Sequence, residues 1–162
     1  MVFKKNLSVL LVLIVIVFLV TACDNTVQQE LINYYDKELS KISKLEEEAI
    51  DAYHSVIGDN YVDDYTLYNE LEEVIIPKYG EFVNELKNIS FTTKEVNKLN
   101  QIYIKAAEKQ YNAFMQMKQA IEKQDKSLVM KANENLENAR KLLKDWEREL
   151  ERLAEENKIK FQ

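Results

Sequence analysis

The chain contains a single cysteine, Cys23, which directly follows a long apolar run near the amino terminus. A thiol can serve as a nucleophile, a metal ligand or one half of a disulfide bond. One cysteine cannot form a disulfide within the chain, so the stability of the fold must come from packing. The thiol of Cys23 is therefore either free or covalently modified.

The other side chains that could do chemistry do not form a catalytic pattern. His54 is the only histidine, which excludes a di-iron site built on two Glu-x-x-His motifs, and no nucleophile elbow lies near it. A structural zinc site lacks ligands. The loop Gly58–Asp64 offers oxygen ligands, but the spacing of a calcium-binding EF-hand is missing. We predict that the protein is not an enzyme and that it holds no metal and no cofactor.

The segment before Cys23 has the order of an export signal. Lys4 and Lys5 precede the apolar run 7–20, which is short for a membrane span of about 20 residues. Small residues then precede Cys23, as at a processing site. Because basic residues stay on the cytoplasmic side, we expect the rest of the chain outside the cytoplasmic membrane. An uncleaved transmembrane anchor is the alternative, and it predicts the same location.

The sequence Val20-Thr21-Ala22-Cys23 resembles the lipobox of bacterial lipoproteins. The resemblance implies that a diacylglycerol is attached to the sulfur of Cys23 and that a signal peptide, residues 1–22, is cleaved between Ala22 and Cys23. Two acyl chains suffice for stable anchoring. We therefore expect a lipid anchor at the outer face of the cytoplasmic membrane, with residues 23–26 as the lipidated cysteine and a short tether.

The composition of the remaining residues predicts one helical domain. The whole chain has only two glycines and one proline, and it is rich in Glu, Lys, Leu and Ala, which favours a few long helices. Cleavage removes two lysines and no acid, so the net charge changes from −6 to −8. Such a charge opposes binding to phosphate backbones, and we predict no nucleic-acid partner.

Apolar residues recur at helical spacing in four segments. The predicted helices are Val27–Ile57, Tyr65–Ile89, a third from the cap Thr92 to Lys123, and Lys126–Glu156. Short connections make neighbouring helices antiparallel. We predict an all-α, antiparallel up-down four-helix bundle at 27–157, with a coiled-coil-like seam in the fourth helix and a frayed tail at 158–162. The alternative is a three-helix bundle with the first helix partly detached.

Four local features carry further predictions. Thr92–Glu95 has the pattern of a capping box, and Pro77 predicts a kink in the second helix. The acidic run Glu46–Glu48 is expected on a solvated face. Trp146 lies on the apolar stripe of the fourth helix, which indicates a packing anchor.

The loop after the first helix is the candidate partner site. If the first helix starts at the membrane, this loop lies at the far end of the bundle, where acids and aromatic side chains coincide. Tyrosine combines apolar area with a polar group and suits protein or sugar recognition. The predicted partner-binding residues are Tyr61, Asp63, Asp64 and Tyr65. Simple packing over the end of the bundle is the alternative.

The same orientation predicts a charge gradient along the bundle. Five lysines would lie toward the membrane, where they would attract an anionic leaflet. These are Lys87, Lys94, Lys98, Lys158 and Lys160.

In organisation, the chain resembles small uncharacterised helical lipoproteins of Gram-positive bacteria, including proteins described as cell-wall-binding. The first functional hypothesis is a membrane-anchored, non-enzymatic helical interaction module for an envelope protein or wall polymer. An immunity or exclusion lipoprotein that blocks a toxin or a conjugation machine is the alternative. A small solute-binding lipoprotein is the third hypothesis, and the lack of strand patterns opposes it.

Overall fold

A computed structural model describes residues 26–160, and all regular structure in that range is helical. The predicted signal peptide with Ala22, the lipidation site Cys23 and the last residues 161–162 lie outside the described residues. Four helices pack together, which confirms the predicted all-α bundle. They are α1 (26–33, a π-helical turn Tyr34–Leu39, and Ser40–Ser55), α2 (Asp64–Glu70, a π-helical turn Leu71–Ile75, and Ile76–Asn88), α3 (Lys94–Lys123) and α4 (Lys126–Glu156).

Most predicted helix boundaries agree with the structure to within two residues. The first helix ends at Ser55 rather than Ile57, because the chain turns at Val56 and enters a short 3-10 helix, Gly58–Asn60. Gly58 has φ +59°, the left-handed conformation that glycine adopts without a steric cost. Gln124 has φ 51° at the end of α3, where the chain turns before Asp125 caps α4.

The hydrogen-bond ladder of α2 changes near Pro77, where the sequence predicts a kink. The π-helical turn Leu71–Ile75 comes just before this residue, and the N–H of Ile76 donates to the carbonyl of Leu71. Proline has no N–H of its own to donate, so a helix must rearrange the bonds around it. Widening the preceding turn to π geometry is one such rearrangement.

The bundle has two ends with different contents. One end is called the near end, because it carries residue 26 and so lies nearest in sequence to Cys23. It contains residues 26–31, the connection 89–93 and residues 153–160. The amide of Gln28 donates to the carbonyl of Asn157 there at 3.0 Å, so the two ends of the described chain meet. The opposite end is called the tip; it contains the connection 56–63, the first turn of α2, and the turn 124–125 with the adjoining ends of α3 and α4.

The core consists of two clusters. The main cluster lies between α1, α2 and α3 and contains packed aromatic rings, such as Tyr79 against Phe114 with centroids 5.2 Å apart. A second cluster closes the near end and joins α1 to α3 and α4. Its buried members are Leu31, Tyr34, Val96, Leu99, Leu150 and Leu153. The first helix is therefore packed along its length rather than detached.

The most extensive contact between two helices is that of α3 with α4. Alanines recur at seven-residue spacing on both helices of this pair, and all of them are buried: Ala106, Ala113 and Ala120 on α3, and Ala132 and Ala139 on α4. Small side chains at heptad spacing let two helix backbones approach closely. The predicted seam of α4 thus exists, although Leu136 and Leu143 on it are only half-buried.

The prediction that the run Glu46–Glu48 is solvated is wrong at Glu46. This side chain is half-buried, and its carboxylate accepts a hydrogen bond from the hydroxyl of Tyr103 at 2.6 Å. Glu46 lies four residues after Ile42 and three before Ala49, both buried, so it occupies a position on the inward stripe. Burial raises the pKa of its carboxyl, and the hydrogen bond from Tyr103 offsets part of that rise.

Trp146 packs against Tyr103, the residue that donates to Glu46. Its ring stacks on Tyr103 with centroids 4.7 Å apart, and its indole N–H donates to the hydroxyl of Tyr34 at 3.1 Å. The predicted packing anchor therefore also satisfies a buried tyrosine hydroxyl.

The predicted capping box at Thr92–Glu95 does not form. The cap residue of α3 is Thr93, and no side-chain bond runs from it to its own helix. Instead the carboxylate of Glu30 accepts from the N–H of Thr92 at 2.8 Å, from the N–H of Thr93 at 3.0 Å, and from both hydroxyls. Free N–H groups at a helix start attract any carboxylate nearby, and the packing of α1 brings Glu30 there.

The tail is described as far as residue 160, and that part is ordered against the bundle. Lys158 adopts φ 57°, and the N–H of Ile159 donates to the carbonyl of Ala154 at 2.8 Å. Ile159 packs on the near-end cluster. The fraying predicted from residue 158 is replaced there by a turn that returns an apolar side chain to the core.

Candidate functional site

The tip begins with a tight turn after α1. The N–H of Tyr61 donates to the carbonyl of Gly58 at 3.2 Å, and the amide of Asn60 donates to the carbonyl of His54 at 3.0 Å. These bonds fix the short 3-10 helix and lead the chain outward. The residues that follow, 61–65, are all exposed.

The acids of this loop have structural partners. Asp63 is the cap of α2 and accepts from the N–H of Thr66 at 2.7 Å. The backbone and side chain of Thr66 lower the pKa of Asp63, so this carboxylate stays charged. Asp64 accepts from the hydroxyl of Tyr61 at 2.8 Å. Both carboxylates accept hydrogen bonds from neutral groups of the loop and its helix start, and these bonds fix the backbone.

Large apolar side chains are exposed mainly at the tip. Val62, Tyr65 and Met130 are 73%, 74% and 74% exposed, and Tyr61 is 47% exposed. The other large exposed hydrophobic residues among the described residues are Ile32 and Tyr35, at 38% and 37%. Isolated exposed apolar residues are normal, but a concentration of them at one end of a protein marks an interaction surface.

The structure places the predicted site residues Tyr61, Asp63, Asp64 and Tyr65 together on this exposed loop and the start of α2. Two other tyrosines from the same part of the sequence face elsewhere. Tyr53 is buried against Phe114, with ring centroids 4.9 Å apart. Tyr68 donates to Glu122 at 3.1 Å, and hydrogen bonds to Glu72 and Glu122 raise its pKa to about 12.

A groove of about 330 Å³ runs between the start of α2 and the α3–α4 turn. Tyr61 and Asp64 line one side of it. Its apolar lining consists of Leu67, Met117, Ala120, Ile121 and Val129. Sequence reasoning missed the groove, because these residues were assigned to helix stripes as core. Val62 and Met130 could have been noticed, since each is an aliphatic side chain off those stripes.

The opposite side of the groove carries the turn between α3 and α4. Asp125 caps α4 by accepting from the N–H of Ser127 at 2.8 Å. Lys123 and Lys126 flank this acid and are exposed, and Lys126 lines the groove together with Asp125. The acids of the tip are therefore concentrated on the loop 58–65, which contains no basic residue.

The predicted charge gradient is weaker than the sequence suggests. Lys87 forms an ion pair with Glu108 at 2.6 Å, and Lys98 forms one with Glu149 at 3.3 Å. Paired lysines contribute less to a basic surface than free ones. Lys94, Lys158 and Lys160 are exposed at the near end.

Two further observations concern the described residues only. Between residues 26 and 160, no three His, Cys, Asp or Glu side chains come close enough together to hold a metal ion. None of the helices in that range is long and apolar enough to cross a membrane.

A helical bundle behind an amino-terminal export segment has the organisation of a bacterial lipoprotein. The sequence model of one family, EMYY-motif containing lipoprotein, matches residues 4–160, and the chain belongs to that family. It is accordingly a lipoprotein, anchored by lipid at the outer face of the membrane. No curated protein and no solved structure matches the chain.

The string Glu-Met-Tyr-Tyr of the family's description does not occur in this chain. Its one pair of adjacent tyrosines is Tyr34-Tyr35, in the π-helical turn of α1. Tyr34 is fully buried and meets Phe91 edge to face, with centroids 5.3 Å apart. Tyr34 therefore belongs to the packing of the near end, whereas Tyr35 is 37% exposed.

Proposed function

We propose that this lipoprotein is a non-enzymatic interaction module that binds an envelope protein through its tip. The observation that carries the proposal is the concentration of exposed apolar side chains there, at Tyr61, Val62, Tyr65 and Met130. Burying such residues against a partner removes apolar surface from water, which drives association.

The position of the lipid anchor determines how the tip is oriented relative to the membrane. The near end carries residue 26, which follows the predicted lipid site Cys23 after only two residues. Such a short connection, at most about 3.5 Å per residue, keeps the near end close to the membrane. The first helix then carries the tip away from the membrane by about 45 Å, at 1.5 Å per residue.

The lining of the tip favours a protein over a wall polymer. Sugar recognition relies on converging hydrogen-bond groups beside an aromatic ring. At the tip, Asp63 and Asp125 are occupied as helix caps. Gln124 and Lys126 also line the groove, beside the five apolar residues named above. An aliphatic or aromatic side chain of a protein fits this lining better.

The test is site-specific crosslinking in cells. A photoreactive amino acid replaces Tyr65 at the tip, and a control places it at Glu151, which is exposed on α4 beside the near end. We expect one envelope protein to be captured from position 65 and not from 151. Tyr61→Ala should abolish capture while lowering the melting temperature by no more than a few degrees.

Identification of the captured protein separates the functional alternatives. A resident envelope protein supports the interaction module, whereas an incoming toxin or a conjugation protein indicates an immunity or exclusion role at the same surface. Equal capture from both positions, or none from position 65, would contradict the assignment of the site to the tip.

A further inference from the structure

We infer that the tip groove receives a cationic amphipathic segment of the partner, with an apolar side chain in the groove and flanking Lys or Arg side chains over the loop 58–65. The inference rests on the proposed function, because it specifies the chemistry of the partner that the tip binds. It draws on two separate features of the tip, the apolar lining and the distribution of charge.

The lining of the groove selects an apolar side chain. Leu67, Ile121 and Val129 present branched aliphatic groups, and Met117 adds a flexible thioether that adapts to the shape of its neighbour. An apolar side chain that enters the groove loses its contact with water and extends the surface offered by exposed Val62.

The charge of the neighbouring loop selects cations beside that apolar side chain. Asp59, Asp63 and Asp64 lie within eight residues of sequence that contain no Lys, Arg or His. Asp63 is held by a helix start and Asp64 by a tyrosine hydroxyl, so neither charge is neutralised by a base. Asp59 is exposed. Cationic side chains would gain attraction here, and that attraction should fall as salt is added.

Other occupants fit this combination less well. A second copy of the chain, docked tip to tip, would bring two sets of loop carboxylates together, and like charges in an interface oppose association. An anionic bilayer would be repelled by the same loop. A neutral peptide would fill the groove and leave the loop acids without a cationic partner.

Matched peptides test the inference directly. Three synthetic peptides share the same leucine and tyrosine positions and differ only in flanking residues, which are Lys, Gln or Glu. Each is titrated against the full lipoprotein in nanodiscs of zwitterionic phosphatidylcholine, with empty nanodiscs as the blank. We expect the Lys peptide to bind about tenfold tighter than the Gln peptide at low salt, a gap that closes near 0.5 M salt. The Glu peptide should not bind.

Variants of the protein assign the preference to the loop and the groove. Asp59→Asn with Asp64→Asn should reduce the preference for Lys, because only the helix cap Asp63 keeps its charge, and should leave the affinity for the Gln peptide unchanged. Tyr61→Ala, which alters the groove wall, should weaken both peptides by similar factors. Glu151→Gln, an exposed change on α4 away from the tip, is the matched charge control and should change neither affinity.

Equal affinities for the three peptides would overturn the inference, as would a Lys preference that is undiminished in the double Asn variant. Such results would leave the proposed function standing if position 65 still captures an envelope protein. Conversely, loop-dependent binding of the Lys peptide without any capture in cells would support the chemistry of the groove and overturn the proposed function.

Discussion

At the near end Leu31 and Tyr34 are fully buried, whereas at the tip Val62 and Tyr65 are about three-quarters exposed. The same helices form both ends. Side chains from α1, α3 and α4 converge at the near end, and Glu30 joins α1 to the start of α3 through four hydrogen bonds. The caps at the tip come from Asp63 and Asp125, each bonded within its own helix start.

This difference indicates that the two ends of the bundle have different roles, one in stability and one in exposing a surface. Long-range contacts hold the near end, so a change there should reduce the stability of the whole domain. Local bonds hold the exposed loop 61–65 of the tip, so its side chains can change with little effect on folding. The predictions below test that division, and each compares a residue at one end with a residue elsewhere.

Leu153→Ala should have the largest effect on stability. The side chain is 1% exposed in the near-end cluster, and emptying such a site costs about 2–5 kcal/mol. Met130→Ala on the same helix, where the side chain is 74% exposed, should cost less than about 0.5 kcal/mol. Urea unfolding of both variants measures the difference. Similar losses would show that the two ends do not differ in this respect.

Glu30→Gln should have a smaller but clear effect. The variant weakens the bonds to Thr92 and Thr93 and leaves the start of α3 without its carboxylate. We expect a loss of about 1–2 kcal/mol, reduced by the partial exposure of the group to solvent. Glu151→Gln, an exposed acid on α4, serves as the control in the same thermal unfolding experiment. An unchanged unfolding midpoint for Glu30→Gln would show that Glu30 does not stabilise the near end.

The pH dependence of stability should separate Glu30 from Glu46. Burial raises the pKa of Glu30, but hydrogen bonds from Thr92 and Thr93 outweigh it and lower the pKa from 4.5 to about 2. The contribution of Glu30 to the free energy of unfolding is therefore present above pH 4.5 and is lost as the pH falls toward 2. The raised pKa of Glu46 gives the opposite pH dependence. The contribution of Glu46 to the free energy of unfolding is present below pH 4.5 and is lost as the pH rises through the raised value.

Urea unfolding between pH 3 and 8 tests both signs. Glu30→Gln should flatten the acid limb of the stability curve. Glu46→Gln should gain stability relative to the parent as the pH rises above 4.5, because the amide accepts the bond from Tyr103 without a buried charge. Parallel curves for the parent and both variants would contradict these assignments.

Val62→Ser and Tyr65→Ser should have the smallest effects on stability, within about 0.5 kcal/mol each, because both side chains are already in contact with water. Differential scanning calorimetry measures the change. A loss as large as that of Leu153→Ala would mean that these residues cover the core, and the tip would then no longer be a free surface.

The local parts of the fold were predictable from the sequence. Apolar spacing gave α4 its observed limits, Lys126–Glu156, and the interruption of α2 near Pro77 followed from the missing N–H of proline. Of the site, the exposed loop with Tyr61 and Tyr65 was also predictable. Its acidic and aromatic residues lie between two predicted helices and do not continue the apolar stripe of either.

The remaining features depend on contacts between residues distant in sequence. A capping box at Thr92 is a sound local prediction, but Glu30 lies 62 residues away and replaces it. The spacing of Glu46 from Ile42 and Ala49 places it on the inward stripe, but its hydrogen bond depends on where the distant Tyr103 approaches α1. The groove was missed because Ile121 sits on a regular stripe, and only the distance between helix ends decides whether such a residue is covered.

The near-end cluster also has a consequence for export. A lipoprotein crosses the membrane starting from its amino terminus, so α1 emerges first and α4 last. Leu31 and Tyr34 pack against Leu150 and Leu153, which emerge only after the whole bundle has been synthesised. The domain can therefore close at the membrane only when its last helix arrives. Until then its first turns expose apolar side chains beside the translocation site, in the state most open to proteases and chaperones.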